Sequence, residues 1–233
     1  MPANLLEDET MYLFLKRAFD IGVAGFACLL LLPLLIPVAI ALRMTSEGEV
    51  FYLQERVGHK NRRFHIYKFA TMLKNAPNMA GGIITTRNDP RLTTLGGILR
   101  KTKINELPQL LNIVFGHMSL VGPRPVMPQS FDAYPDEVQR VIYDAKPGLT
   151  GIGSIIFRDE EEIITAVRDA GGDVWSFYKD TIYPYKGQVE LWYQDKRSFL
   201  LDLKLIFLTA WAILFPESRL HEKWFPDLPK RTF

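Results

Sequence analysis

Apolar residues are concentrated in one uninterrupted run near the start of the chain. Residues 21–42, IGVAGFACLLLLPLLIPVAIAL, contain no charged side chain, and Asp20 and Arg43 border them. An uncharged run of about 20 residues is long enough to cross the hydrocarbon core of a bilayer as a helix. Acidic residues precede the run and no small-residue cleavage site follows it, which is not the pattern of a signal peptide. The run predicts a membrane helix.

Two topologies compete for this helix, and Pro33 separates them. A straight 22-residue helix would be about 33 Å long and could span the membrane. Proline removes a backbone donor and kinks a helix, and division at Pro33 leaves arms too short to cross, at about 14–18 Å each. Basic residues flank both ends of the run, and such residues favour the cytoplasmic side. The flanks therefore favour a re-entrant helix that turns at Pro33, while a kinked spanning helix remains the alternative.

The remaining pattern predicts a mixed fold in which helices dominate. Two short strands are expected within 46–68, around the polar turn GHKNRR, and a loop is expected over 73–88. Helices are expected over 95–103, 107–115, near 135–144, within the acidic stretch 159–182 and over 198–215, with loops at GPRP (122–125) and PGLTG (147–151). The last helix carries only two charges and one tryptophan, which favours a buried or interfacial position over a second span. The predicted class is α+β, mostly helical, with a short β-hairpin.

The composition excludes several kinds of site. Cys28 is the single cysteine of the sequence, so neither an intramolecular disulfide nor a cysteine-based zinc site can form. The net charge is only +2, but residues 54–103 carry eleven basic residues against the two acids Glu55 and Asp89. Such a block indicates an anionic partner: a phosphate, a nucleic acid or an anionic lipid surface. The adjacent apolar run and the acidic second half of the chain argue against nucleic acid.

Residues suited to phosphoryl chemistry follow one another within this block and just after it. They are Lys68, Asp89, Arg91, Arg100, Asn105, Glu106 and Arg124. Arginine clamps phosphate through two parallel hydrogen bonds, and a carboxylate among phosphates can hold Mg²⁺. Charge neutralisation of this kind is what phosphoryl transfer requires. Each residue alone also has an ordinary structural explanation. The basic residues fit the surface of an exposed helix, GPRP fits a structural turn, and Asp89 or Glu106 fits a charge at a helix terminus.

Taken in order, longer stretches resemble a known family. They are KRAFDIG at 16–22, FYLQERVGHKNRRFHIYKFATM at 51–72, NELPQLLNIVFGHMSLVGPRP at 105–125 and KPGLTG at 146–151. This order is similar to that of the bacterial sugar transferases, which are monotopic polyprenyl-phosphate phosphoglycosyl transferases. The resemblance covers about residues 12–215.

The resemblance implies a reaction, a cofactor and partners. Family members transfer a sugar phosphate from a UDP-sugar to a membrane polyprenyl phosphate, release UMP and use Mg²⁺. The chain is thereby expected to start a cell-surface glycan such as an exopolysaccharide, a capsule or an O-antigen. Its expected partners are the lipid bilayer and downstream glycosyltransferases, and nucleic acid is not among them. Its expected location is the bacterial inner membrane, with the catalytic domain in the cytoplasm.

The resemblance also assigns segments and residues. It divides the chain into an N-terminal tail (1–15), a re-entrant membrane helix (16–44), a cytoplasmic sugar transferase domain (45–215) and a C-terminal tail (216–233). Phosphate binding falls to Lys68, Arg91, Arg100, Arg124 and Arg158, metal binding to Glu106 and Asp89, and the membrane turn to Pro33. Catalytic roles fall to Glu106, Asn105 and His117. Thr71, Gln109, Glu190 and Tyr193 are weaker candidates near the site.

One position departs from the family pattern at its centre. The family uses an Asp-Glu pair whose aspartate forms a covalent phosphosugar, whereas this chain has Asn105-Glu106. An amide has no anionic oxygen and is a poor nucleophile. Four explanations follow: Glu106 is the nucleophile, polyprenyl phosphate attacks the UDP-sugar directly, another carboxylate such as Asp89 takes over, or the protein is inactive. In the direct route His117 is a candidate base.

Two non-catalytic functions stay open at this level. A catalytically inactive relative would serve as a membrane-bound scaffold that holds a nucleotide sugar or a partner enzyme. A peripheral protein would use the basic block only to bind anionic lipid, and its membrane affinity would fall with salt.

Overall fold

The computed structural model describes residues 3–45, 47–79 and 89–233. The chain separates into two compact units. The larger unit comprises Met1–Asp20, Arg56–Phe64 and Gly116–Phe233, and the smaller unit comprises Ile21–Glu55 and His65–Phe115. Each unit has a hydrophobic core of its own.

The apolar run lies in one long helix, α1 (Ala3–Thr45). Its part from Glu9 to Thr45 is long and apolar enough to cross a membrane. Most of its large apolar side chains are exposed, among them Phe26, Leu29 and Leu30. Exposed apolar surface of this extent is typical of a membrane-contacting segment. This supports membrane association.

Helical backbone continues through Pro33 and Pro37. A proline inside a helix removes one backbone hydrogen bond and bends the axis without ending the helix. The re-entrant turn at Pro33 therefore stays a prediction. The predicted N-terminal tail is helical from Ala3 onward, as the first part of α1.

The smaller unit contains most of the predicted hairpin and two short helices. Its elements after α1 are β1 (Phe51–Val57), β2 (Arg63–Phe69), α2 (Thr94–Lys101) and α3 (Gln109–Val114), with the far ends of β1 and β2 in the larger unit. β1 and β2 pair in a two-stranded sheet, which confirms the predicted hairpin. The core of this unit is built on the buried residues Leu42, Phe69 and Leu99. Part of the predicted loop, residues 80–88, lies outside the described residues.

The larger unit contains the other elements. They are β3 (Ser119–Val121), α4 (Pro128–Phe131), α5 (Asp136–Val141), β4 (Gly148–Thr150), α6 (Ile152–Ile156), α7 (Glu160–Asp169), α8 (Val174–Phe177), α9 (Tyr183–Lys196), α10 (Phe199–Leu214) and α11 (Leu220–Trp224). A π-helical turn, Tyr178–Ile182, joins α8 to α9. Its main core packs α6, α9 and α10 together around Ile152, Val189 and Leu205, which are fully buried.

One prediction about this unit was wrong. Residues 147–151 were expected to form a loop, but Gly148–Thr150 form β4, which pairs in parallel with β3 in the register Ser119–Gly148 and Val121–Thr150. Strands of three residues leave too short a pattern to recognise, and glycine is uncommon in strands. The acidic helix predicted within 159–182 is confirmed as α7, which ends at Asp169, and α8 follows Gly171 and Gly172. Gly171 has a positive φ of 76°, which ends a helix.

The two ends of the chain meet inside the larger unit. The Nζ atom of Lys16 lies 2.6 Å from the Oδ2 atom of Asp202, and it also donates to the carbonyl oxygen of Val121 at 2.9 Å. The Tyr193 hydroxyl donates to the Oδ1 atom of Asp202 at 2.8 Å. The Lys16 and Asp202 side chains are buried, so their charges must be paired and hydrogen-bonded to be tolerated. This network fixes the first helix to α9 and α10.

Candidate active site

In the smaller unit, β2 is held against α3 by the Asn112 side chain. Its Nδ2 atom donates to the carbonyl oxygen of His65 at 2.7 Å, and its Oδ1 atom accepts from the backbone N–H of Tyr67 at 2.9 Å. Asn112 is fully buried, so both bonds form away from competing water. The amide imitates the pairing edge of a neighbouring strand. It thereby sets the position of Lys68, the next residue of β2.

Lys68 and Glu106 form the charged pair of this unit. The Lys68 Nζ atom donates to the Oε1 atom of Glu106 at 3.1 Å. Both side chains are largely buried, with 16% and 24% of their surface exposed. Partial burial strengthens such a pair and leaves it accessible to a charged ligand. The structure thus brings together a predicted phosphate-binding cation and the predicted metal-binding carboxylate, which are 38 positions apart.

Asn105 lies beside this pair in a 3₁₀ turn, Ile104–Glu106. Lys103 enters the turn with a left-handed φ of 60°, a costly conformation for a residue with a side chain. Asn105 is 7% exposed, and its buried Oδ1 atom accepts no hydrogen bond from any described residue. A buried acceptor without a donor lowers the stability of the fold unless a ligand supplies the missing hydrogen bond or coordination. This oxygen marks the site.

Arg100 lies on α2 of the same unit. Its Nε atom donates to the Thr71 hydroxyl at 2.9 Å. Helix α2 begins at Thr94, and the hydroxyl of the preceding residue, Thr93, accepts from the backbone N–H of Gly96 at 2.9 Å and thereby caps the helix. A side chain at Gly96 would collide with the carbonyl oxygen of Thr71, so glycine permits this approach. Burial lowers the pKa of Arg100, while the charges of Asp89 and Glu106 act in the opposite direction.

Asp89 and Arg91 form a closed ion pair. The Nε and Nη2 atoms of Arg91 donate to the two carboxylate oxygens of Asp89 at 2.9 and 2.6 Å, and the backbone N–H of Arg91 donates at 3.0 Å. These hydrogen bonds lower the pKa of Asp89 to about 2. Both residues are buried. Asp89 was predicted as a metal ligand and Arg91 as a phosphate ligand, but their mutual pairing favours a structural role for both.

The predicted site residues divide between the two units. Lys68, Asp89, Arg91, Arg100, Asn105 and Glu106 lie in the smaller unit, and His117, Arg124 and Arg158 lie in the larger unit. The His117 side chain is exposed, and its ring packs at 6.3 Å from that of Phe64. Arg124 and Arg158 are also exposed. The catalytic role of His117 stays a prediction.

The GPRP loop holds its backbone in a fixed conformation. Pro123 and Pro125 have no N–H, and the three remaining N–H groups from Gly122 to Val126 all have acceptors. Gly122 donates to the carbonyl of Thr150 at 3.0 Å and Val126 donates to the Tyr143 hydroxyl at 3.0 Å. The backbone N–H of Arg124 donates to the carboxyl group of Glu190. The loop thus presents an exposed guanidinium from an immobilised backbone.

Two residues that matter for this geometry had little or no signal in the sequence. Asn112 lies in the stretch NELPQLLNIVFGHMSLVGPRP, but no feature of its neighbours in the sequence indicates a role for it. Glu190 was only a weak candidate for the substrate pocket, and the structure places it in the core beneath the GPRP loop. In both cases the partners are distant in sequence, so no local pattern reveals them.

The fold and the site define a protein with one helix that is long and apolar enough to cross a membrane and with a cationic site that contains a carboxylate. The model of the bacterial sugar transferase family matches residues 11–216, and the chain belongs to this family. It is 35% identical over 187 residues to the exopolysaccharide production protein ExoY of Sinorhizobium fredii, covering 73% of this chain and 82% of that protein.

Relatives with more specific names are longer proteins. The chain is 36% identical over 210 residues to the undecaprenyl-phosphate glucose phosphotransferase of Komagataeibacter xylinus, covering 87% of this chain and 36% of that protein. It is 34% identical over 201 residues to the UDP-glucose:undecaprenyl-phosphate glucose-1-phosphate transferase of Klebsiella pneumoniae, covering 84% and 39%. The chain thus spans well under half the length of these two relatives.

Proposed function

We propose that this protein is a phosphoglycosyl transferase that moves a sugar-1-phosphate from a UDP-sugar to a membrane polyprenyl phosphate and releases UMP. Relatives carry names that describe this reaction. The observation in this chain that carries the proposal is the Lys68–Glu106 pair beside the unpartnered oxygen of Asn105. A cation, a carboxylate and a buried acceptor are suited to a substrate rich in phosphate oxygens and its counterion.

We further propose that the transfer is direct, because Asn105 cannot serve as the nucleophile. An oxygen of polyprenyl phosphate attacks the phosphorus that carries the sugar. The bond from this phosphorus to the oxygen of UMP breaks, and UMP leaves with the electron pair. Two anions must approach each other, so the step depends on fixed positive charge. Lys68 and Arg100 supply it in the smaller unit. For the larger unit, taken by itself, Arg124 stays the predicted phosphate-binding residue.

The structure weighs against the other nucleophiles. Glu106 is paired with Lys68, which stabilises the carboxylate and lowers its readiness to attack. Asp89 is held by Arg91 through both oxygens. The inactive scaffold has no support among the relatives with specific names, which are named as transferases.

Mg²⁺ fits the residues present. Among the described residues there is no group of three or more His, Cys, Asp and Glu side chains that could hold a metal. Mg²⁺ does not need one, because it is commonly bound by one or two carboxylates together with substrate phosphates. Glu106 would hold it, and the vacant acceptor of Asn105 supplies a second oxygen of suitable chemistry. The bound ion would neutralise charge on the diphosphate.

We place the protein at the cytoplasmic face of the bacterial inner membrane, anchored by α1 as a re-entrant helix that bends at Pro33, with downstream glycosyltransferases as partners. The basic flanks of the apolar run support this orientation. The glycan that it starts is of the exopolysaccharide, capsule or O-antigen type.

The test is UMP release from the purified protein in nanodiscs, with Mg²⁺ and a panel of UDP-sugars. Direct transfer predicts UMP only when polyprenyl phosphate is present, and no phosphosugar adduct on the protein by intact mass. UMP release without acceptor would contradict the direct route. No release from any donor would contradict the proposed function.

A further inference from the structure

The GPRP loop rests on a buried carboxyl group that the reaction does not otherwise use. Glu190 lies on α9 and is 5% exposed. It accepts the backbone N–H of Arg124. Its Oε2 atom is buried and has no hydrogen-bond donor among the described residues. A carboxyl group placed in a core in this way is energetically unfavourable, so its presence calls for an explanation.

The neighbouring helix α6 is shaped around this carboxyl group. The Oε1 atom of Glu190 occupies the space that a Cβ atom would take at Gly153. Any other residue at position 153 would therefore displace the carboxyl group from the loop. The glycine and the glutamate together fix where the acceptor for Arg124 lies.

The opposite side of Arg124 is held just as firmly. The Tyr143 hydroxyl donates to the carbonyl oxygen of Arg124 at 2.8 Å. Tyr143 is fully buried. Two buried side chains, one on α9 and one just after α5, thus clamp the two backbone polar groups of a single residue whose side chain is exposed. Two buried polar contacts to one backbone are expected where the direction of the exposed side chain matters for binding or catalysis.

We propose that Glu190 is a positioning residue, which fixes the backbone of Arg124 so that its guanidinium is presented to the diphosphate of the donor. The inference rests on the proposed function only in naming the donor, since the contacts are present in the chain itself. Glu190 does not touch the reacting atoms. Its effect is on donor affinity, through the geometry of Arg124.

This role has a pH signature. Burial raises the pKa of Glu190 to about 7, against the opposing effects of Lys186 and the Arg124 N–H. Lys186 is a charged group near it, and its Nζ atom is itself paired with Glu160 at 2.6 Å. The negative charge of Glu190 in turn contributes to the raised pKa of the Tyr134 and Tyr143 hydroxyls. The ionised carboxylate is the stronger acceptor for the Arg124 N–H. Donor affinity should therefore increase as the pH rises through about 7.

The test is calorimetric binding of UDP-glucose to the nanodisc-embedded protein between about pH 6 and pH 8, without acceptor. UDP-glucose has no phosphate group that titrates near neutral pH. In the wild-type protein the Kd should fall on the order of fivefold over this range, the difference between a charge-assisted and a neutral hydrogen bond. Glu190→Gln keeps an acceptor but cannot ionise, so its Kd should stay near the wild-type value for low pH throughout.

Tyr143→Phe is the matched variant. It removes the other contact to Arg124 without changing a group that titrates near pH 7, so binding should weaken while the pH dependence remains. Melting curves followed by circular dichroism verify that both variants are folded. If Glu190→Gln does not fold, the Tyr143→Phe result and the wild-type pH profile still decide.

The outcomes distinguish this inference from the proposed function. A Glu190→Gln protein with the wild-type pH dependence, or a wild-type Kd that is flat across the range, overturns the inference. Binding of neither UDP-glucose nor inorganic pyrophosphate overturns it as well, because Arg124 then meets no diphosphate. The predicted binding pattern without UMP release from any donor would keep the inference and overturn the proposed reaction.

Discussion

The Lys68 ammonium group donates to the Glu106 carboxylate at 3.1 Å, between a strand and a 3₁₀ turn that are joined by a long connection. The pair brings a cation and an anion to a position where neither is fully shielded from solvent. A phosphate can displace the carboxylate as partner of Lys68, and a divalent cation can displace the ammonium group as partner of Glu106. The pair is therefore suited to a site that receives both at once.

Removal of the Lys68 charge should abolish most of the activity. We expect Lys68→Met to reduce UMP release by about 10²–10³, the usual effect of removing one group that stabilises developing charge. Lys74→Met is the matched control, because Lys74 lies in the same basic block but forms an exposed pair with Glu49. The control should retain activity within about twofold. Equal losses in both variants would show that only the net charge of the block matters.

Restoring an aspartate at position 105 should change the order of events. Asn105→Asp supplies an anionic oxygen at the position where the resemblance implies the family's nucleophile, so UMP should appear in a stoichiometric burst without polyprenyl phosphate. Intact-mass measurement should then detect a phosphosugar on the variant and none on the wild-type protein. An adduct on the wild-type protein would instead assign the nucleophile to another residue such as Glu106.

Loss of the Asn112 side chain should affect stability and activity together. Asn112→Ala removes two buried hydrogen bonds, which we expect to cost about 2 kcal/mol and lower the Tm by about 4–8 °C. Lys68 loses its anchor at the same time, so UMP release should also fall. Asn78→Ala is the control, since the exposed Asn78 side chain donates to Asn75 at 2.8 Å and its loss should leave both quantities unchanged. Normal activity in a destabilised Asn112→Ala protein would separate the two roles.

The Asp89–Arg91 pair should stabilise the fold in neutral but not in strongly acidic solution. The pKa of Asp89 in the folded protein is about 2, below its ordinary value of 3.8. Stability from this shift is present above about pH 4 and is lost as the pH falls toward 2. Asp89→Asn should therefore lower the Tm at pH 7, by an amount that shrinks between pH 5 and pH 2.5. A Tm difference that is constant with pH would contradict this assignment.

Glu190 should have the opposite effect on stability. Its pKa in the folded protein is raised from 4.5 to about 7, so the folded state retains a proton that the unfolded chain releases. Stability from this shift is present below about pH 4.5 and is lost as the pH rises through 7. The Tm of Glu190→Gln relative to wild type should increase from pH 5 to pH 8, corresponding to at most about 3 kcal/mol. A decrease over the same range would show that Glu190 is not buried in its neutral form at low pH.

Sequence patterns predicted those elements that are determined by residues close together in the chain. The hairpin and the last apolar helix, α10, both follow from neighbours in the sequence. Gly116 follows α3 with a positive φ of 86°, as expected of a helix stop. The order of motifs predicted the family, which the matching family model confirms.

Contacts between distant residues could not be predicted in this way. The parallel pairing of β3 with β4 depends on close backbone approach at Gly122 and Gly148, and the sequence does not show which glycines meet. The closed pairing of Asp89 with Arg91 was missed for a different reason. Two opposite charges two positions apart fit a ligand site as well as an ion pair, and only the geometry of the turn distinguishes them.

The pairing of Lys16 with Asp202 has a consequence for the order in which the protein is made. The two residues are separated by 186 positions, and a bacterial or eukaryotic ribosome adds about 5–20 residues per second. The membrane helix emerges about 10–40 s before its buried lysine can meet the aspartate. During this interval Lys16 is a solvated charge beside an apolar helix, which opposes passage of that end through the bilayer. The Lys16–Asp202 contact can therefore form only after the whole of α1 has been synthesised.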